Sequence, residues 1–143
     1  MFDKLKCIFP CKEGAPKKSK TKTILLVEDE PSQIRMIEKT LSKYRYKVVT
    51  VTNSEDAFKA VNETKFDLIL LDVILPSSKI NGDEICRNLK SNPATRQIPV
   101  IFLTVQDGPV DIIRHFDLGG ELHLTKPINA HELVSHIESV IGK

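Results

Sequence analysis

Short apolar runs alternate along this chain with segments of helical period. Thr23 to Val27 is apolar and strand-like, and Pro31 follows at a position that suits the first turn of a helix. Ile34, Ile37 and Leu41 recur at spacings of three and four, the stripe of an amphipathic helix. Val48 to Val51 is β-branched throughout and predicts a second strand. Ser54-Glu55-Asp56 reads as a helix cap with acidic first-turn residues, leading into Ala57, Ala60 and Val61. Asp67 to Val73 is a nearly continuous apolar run, and Asp83 to Lys90 carries Ile85 and Leu89 one helical turn apart. Pro99 to Val105 is another buried-type strand, followed by a helix over Pro109 to Leu118 with Gly119 as its stop. Glu121 to Thr125 is a short strand. Asn129 with Glu132 resembles a capping box, and Leu133, Ile137, Val140 and Ile141 form the stripe of a last helix ending near Gly142.

The pattern predicts five β-α units. Strands apolar on both faces belong in a parallel sheet covered by helices. Right-handed crossovers make this a doubly wound α/β domain, whose ligands bind at the carboxyl ends of the strands.

Length and composition agree with one domain plus a little spare chain. There are 143 residues, 41% hydrophobic and 28% charged, enough to bury a core without disulfides or metals. No apolar run approaches the roughly 18 residues of a membrane span, and no apolar segment follows the early lysines as in a signal peptide. Cys7, Cys11 and Cys86 are an odd count and a poor disulfide scaffold; Cys7 and Cys11 alone do not make a zinc site. A cytoplasmic protein is the expectation.

Charge divides the chain. Residues 1–22 hold seven lysines against Asp3 and Glu13, whereas the remaining 121 residues hold 14 basic and 17 acidic groups. The net +2 therefore hides a basic tail on a mildly acidic body, and gives no reason to expect nucleic-acid binding by that body. In the tail, Phe2, Leu5, Ile8 and Phe9 share a helical face before Pro10, Gly14 and Pro16 break the pattern. The segment reads as a basic extension and linker, or as a short anchor for a partner or an anionic membrane surface.

The strand ends hold one constellation. Glu28, Asp29 and Glu30 follow the first strand, Asp72 ends the third, Thr104 the fourth and Lys126 the fifth. Taken singly, each has a plainer reading as a cap, a strand residue or a loop residue. Together they are an oxygen-rich edge beside a lysine. Carboxylates gathered in this way repel unless a cation joins them, and oxygen ligands suit Mg²⁺ with phosphate oxygens. An aspartate can accept a phosphoryl group as an acyl phosphate.

At this point the chain resembles the receiver domains of two-component response regulators. The resemblance rests on Ile24-Leu-Leu-Val-Glu-Asp-Glu-Pro31, Asp67-Leu-Ile-Leu-Leu-Asp-Val-Ile-Leu-Pro76, Pro99-Val-Ile-Phe-Leu-Thr104 and Leu124-Thr-Lys-Pro127, and covers roughly residues 22–143. It implies a flavodoxin-like fold for residues 23–143, with 1–22 as an extension. It implies that Asp72 is the phosphoacceptor. Asp29, Asp72 and the backbone carbonyl of Ile74 would bind Mg²⁺ directly, and Glu28 through a water. Thr104 and Lys126 would contact the phosphoryl oxygens. It further implies a cis Lys126–Pro127 bond and a histidine kinase or phosphotransfer protein as donor. Such a chain is no enzyme beyond its own phosphorylation and slow dephosphorylation. No output domain follows in this sequence, so output by contact with an unidentified protein target is the expectation.

Three positions depart from the family pattern. His123 stands where a Tyr or Phe that swings inward on activation is usual; it reads as a surface strand residue, or as a switch residue of altered size and charge. Val105 replaces a small residue after Thr104. The loop between Pro76 and Gly82 is about two residues longer than the common form. Other functions lack their motifs: there is no Gly-x4-Gly-Lys-Ser/Thr and no Gly-x-Gly-x-x-Gly. Ile74 stands where a haloacid-dehalogenase-type phosphatase would place its second Asp. A receiver-like interaction module that works without phosphorylation is the alternative.

Overall fold

The computed structural model describes residues 21–105 and 109–142, apart from the side chains of 109–112. The expectations for Phe2, Leu5, Ile8, Phe9, Cys7 and Cys11 lie outside the described residues. The elements alternate as β1 (Thr23–Val27), α1 (Pro31–Lys43), β2 (Lys47–Val51), α2 (Ser54–Glu63), β3 (Leu68–Asp72), α3 (Gly82–Ser91), β4 (Val100–Thr104), α4 (Pro109–Asp117), β5 (Leu122–Thr125) and α5 (Ala130–Ile141). All strand pairs are parallel, in the order β2-β1-β3-β4-β5. This is the flavodoxin-like doubly wound arrangement, with its switch point between β1 and β3.

Period-two alternation sorts the strand side chains into two cores. Ile24, Leu26, Leu68, Leu70, Ile101 and Leu103 meet Ile37 and Leu41 of α1 and Leu133 and Ile137 of α5. Leu25, Val27, Ile69, Leu71, Val100 and Phe102 face the other way, onto Ala57 of α2 and Ile85, Cys86 and Leu89 of α3. β1, β3 and β4 are therefore buried on both faces, while the edge strands β2 and β5 are only partly covered.

Element ends differ from the sequence expectation by a residue or two, each for a local reason. Asn53, not Ser54, caps α2: its Oδ1 accepts from the Asp56 amide at 2.9 Å, and Ser54 is the first helical residue. Asp67 lies outside β3 and accepts from the Thr23 amide at 2.8 Å, tying the start of β1 to the chain entering β3. Pro31 opens α1, with Glu30 as N-cap accepting from the Ser32 amide. Asn129 caps α5 through the Glu132 amide.

The end of α1 carries no glycine, yet it closes as glycine-ended helices do. Arg45 has φ +66°, its amide bonds to the Ser42 carbonyl at 3.1 Å, and the Tyr46 amide bonds to the Leu41 carbonyl at 3.0 Å. These are the two bonds of a Schellman cap, completed by Tyr46 and Leu41 sharing a core. A left-handed Arg costs about 1–2 kcal/mol, part of which glycine loses again in unfolded-chain entropy. Arg45→Gly is expected to stabilise the fold by about 0.5–1 kcal/mol, read as a higher midpoint in urea at unchanged slope.

Candidate functional site

The right-handed crossovers bring the ends of β1, β3, β4 and β5 to one edge. Glu28 follows β1 and is fully buried. It tolerates burial because both oxygens are hydrogen-bonded: Oε2 accepts from the amides of Asp29 and Glu30, both at 3.2 Å, and Oε1 from Lys126 Nζ at 2.7 Å. Lys126, after β5, also donates to Asp72 Oδ2 at 3.1 Å. Asp72 is 5% exposed, and its Oδ1 accepts from the Ile74 amide at 3.3 Å. One ammonium thus bridges the ends of β1 and β3.

Glu28, Asp29 and Asp72 each offer a carboxylate oxygen, and these atoms lie within 4.8 Å of one another. Burial, and then the adjacent Glu28 carboxylate, pushes the Asp72 carboxyl up to about 7, against the pull of Lys126. Burial works against the Lys126 ammonium as well, but Glu28 and Asp72 together outweigh it and hold its pKa above the ordinary lysine value. The edge is therefore short of positive charge even with Lys126 in place. A cluster of hard oxygen donors in that condition fits a hard divalent cation such as Mg²⁺.

Thr104 closes the site from β4. It is buried, its carbonyl accepts from the Lys126 amide at 2.8 Å, and it pairs in register with Thr125. Asp72 and Thr104 stand at the ends of adjacent strands β3 and β4. The Lys126–Pro127 peptide is cis. Ile74 reaches the site by its amide, while its side chain is 43% exposed, and Val105 is 64% exposed next to Thr104.

Two contributors were not singled out from the sequence. Gly82 is needed by close approach: a Cβ there would sit 2.1 Å from the Asp72 carbonyl oxygen. Its place at the start of α3 was the available signal. Ser77, in the lengthened loop, directs its hydroxyl to the Thr52 carbonyl at 3.2 Å and to Asp29 Oδ2 at 3.4 Å, and Ser78 Oγ accepts from the Ser54 amide at 2.9 Å. A serine in a loop gives no advance sign of such a contact.

Comparison with known proteins decides the family. The family described as "Response regulator receiver domain" matches residues 24–138. The chain belongs to this family. The receiver is 32% identical over 122 residues to the alkaline phosphatase synthesis transcriptional regulatory protein PhoP of Bacillus subtilis, which spans 85% of this chain and 49% of PhoP. It spans about half the length, or less, of the curated relatives it matches. Its fold matches the receiver domain of the sensor histidine kinase PA1611 from Pseudomonas aeruginosa PAO1, a structure with a magnesium ion coordinated in the active-site cleft. That match has a TM-score of 0.77 and 29% identity, and covers 87% of this chain and 100% of the other. The phosphorylated cyanobacterial phytochrome response regulator RcpA matches with a TM-score of 0.73 and 33% identity, over 85% of this chain and 94% of the other. No helix among the described residues is long and apolar enough to cross a membrane.

The raised pKa of Asp72 has a consequence for stability. A carboxyl whose folded pKa lies above its unfolded value costs stability as pH rises from the unfolded value, about 4, through the folded value, about 7. Asp72→Asn removes that cost. Metal-free Asp72→Asn is expected to be more stable than the parent receiver at pH 8 by about 1–2 kcal/mol, with the gap closing towards pH 4. Thermal melts in EDTA across that range test it; a gap that widens towards acid would contradict the charge argument.

Proposed function

We propose that this receiver accepts a phosphoryl group on Asp72, supplied by a histidine kinase or a phosphotransfer protein in the cytoplasm, and signals by changed contacts with a protein target. The observation that carries this reading is the bridge from Lys126 to Glu28 and Asp72, with Asp29 alongside, at one sheet edge. We assign residues 23–143 to the receiver unit and 1–22 to an extension. Receiver domains as a class are phosphoacceptors and bind Mg²⁺ in their active site.

In this assignment Asp29, Asp72 and the backbone carbonyl of Ile74 would hold Mg²⁺, and Glu28 would act through a water. When bound, the cation neutralises the carboxylates and the incoming phosphoryl oxygens. A carboxylate oxygen of Asp72 attacks phosphorus as the donor's P–N bond breaks, and the nitrogen lone pair stays with the donor. Asp72 must be ionised to attack. Lys126 favours that form. The ammonium already on Asp72 Oδ2 neutralises charge that develops on the phosphoryl group, and the Thr104 hydroxyl donates to it. The chain thereby acts as an acceptor that at most speeds its own phosphorylation and dephosphorylation. Output runs through the surface of the last two β-α units, where Ile113 and Phe116 of α4 are exposed.

Intact mass after incubation with Mg²⁺ and acetyl phosphate tests the reading. The expected result is one acid-stable, base-labile phosphoryl adduct, absent from Asp72→Asn and from samples in EDTA. No adduct with acetyl phosphate or with a cognate kinase, and no Mg²⁺ binding, would favour an interaction module that works without phosphorylation. Val105 stands at the mouth of the site. Val105→Ala is expected to hasten loss of the adduct by a factor of about two to ten, or about 0.4–1.4 kcal/mol in barrier. An unchanged decay rate would show that Val105 does not limit access.

A further inference from the structure

Away from the acidic edge, three elements meet through a buried polar relay that the phosphoacceptor reading does not use. His115 of α4 is 1% exposed and lies between two rings, stacked on Phe102 of β4 at 4.3 Å and on His123 of β5 at 4.8 Å. Its Nδ1 is 2.8 Å from His123 Nδ1. Its Nε2 is 3.2 Å from Asp83 Oδ1 of α3, an ionic distance not aligned as a hydrogen bond. Arg114 pairs with the other oxygen of Asp83 at 3.0 Å. Among the described residues, His123 Nε2 is buried with no hydrogen-bond partner.

These contacts fix the protons. A bare imidazole nitrogen facing a carboxylate oxygen would repel it, so His115 carries its proton on Nε2 and presents a lone pair at Nδ1. The short Nδ1–Nδ1 contact needs one proton, so His123 donates it from Nδ1. That leaves His123 Nε2 as a buried lone pair. A further proton on His115 goes to Nδ1 and shifts the His123 proton to Nε2, creating a buried N–H with no acceptor among the described residues. That is costly in place and is relieved when His123 turns to water.

We propose that His115 is a positioning residue that clamps α4 to the sheet through His123 as a neutral pair, and that protonation of the pair opens the clamp. The inference is independent of whether Asp72 accepts a phosphoryl group. The charged and titratable groups that act on His115 are Asp83 of α3, Arg114 of α4 and His123 of β5, and Phe102 of β4 is neutral; Cys86 of α3 lies nearby in the chain. Burial pushes the Cys86 thiol up to about 11, so it stays uncharged in this range, and it lies 3.4 Å from the Leu118 carbonyl. For His115 itself, burial leads in holding the pKa below the ordinary histidine value, with His123 and Arg114 in the same direction and Asp83 opposed. The sign follows: the clamped state loses ground as pH falls from the ordinary histidine range towards the depressed one.

The test is nitrogen-15 NMR on the full chain. At pH 7.5 the imidazole spectra should show Nε2–H on His115 and Nδ1–H on His123. Amide-exchange protection across residues 113–118 should then fall about tenfold per pH unit between the two histidine ranges. The step should persist in Asp72→Asn, which removes the titrating group of the acidic edge. It should vanish in His115→Phe, which keeps the stack on Phe102 but has no ring nitrogen. Should that variant not fold, His123→Phe serves as the reciprocal and should also lack the step. The opposite tautomers, flat protection, a step lost with Asp72→Asn, or a step retained in both phenylalanine variants would each overturn the proposal.

Discussion

Three carboxylates within 4.8 Å of one another at a sheet edge cannot all stay ionised unless cations stand beside them. Lys126 supplies one positive charge, and the remainder of the site is organised around that shortage. Glu28 is buried because two backbone amides and the ammonium occupy its oxygens. Asp72 is held at a pKa near 7 because its share of the lysine does not offset burial and Glu28. The same imbalance makes the edge a receptor for a divalent ion and for a group that brings one.

The fold serves this edge by what it buries elsewhere. β1, β3 and β4 are apolar on both faces, so the polar residue that follows β1 or ends β3 and β4 has a defined place. Gly82 lets α3 start against the backbone of Asp72 itself. α4 differs from the other helices, because its described contact with the sheet runs through a ring stack and a polar relay rather than through aliphatic side chains alone.

Much of this was legible in the sequence, for physical reasons. Central strands must be continuously apolar, so β1, β3 and β4 announced themselves, and parallel order puts their ends together. Glu28, Asp29, Asp72, Thr104 and Lys126 therefore met at one edge without any side chain having to be placed. What was missed depends on geometry that a linear pattern does not carry. Asn53 displaced Ser54 as cap because the two are equally good and only backbone angles choose between them. Arg45 ends α1 in a conformation that favours glycine, so no glycine marked the place. His123 reads as a surface strand residue until α4 brings His115 over it, and Ser77 reads as ordinary loop until folding carries it to Asp29.

The ammonium of Lys126 meets Glu28 across a separation of 98 residues, and Asp72 across 54. Ribosomes deliver chains from the N-terminus, so the β1 and β3 acids emerge well before the lysine that satisfies them. A nascent chain that has made only its first three strands must leave Glu28 hydrated and its end of the sheet open. The bridge closes only after β5 has been synthesised and has paired with β4. The charge balance of the edge is in this way complete only once β5 and Lys126 have been made, and a product cut before them carries the acids without the group that lets them be buried.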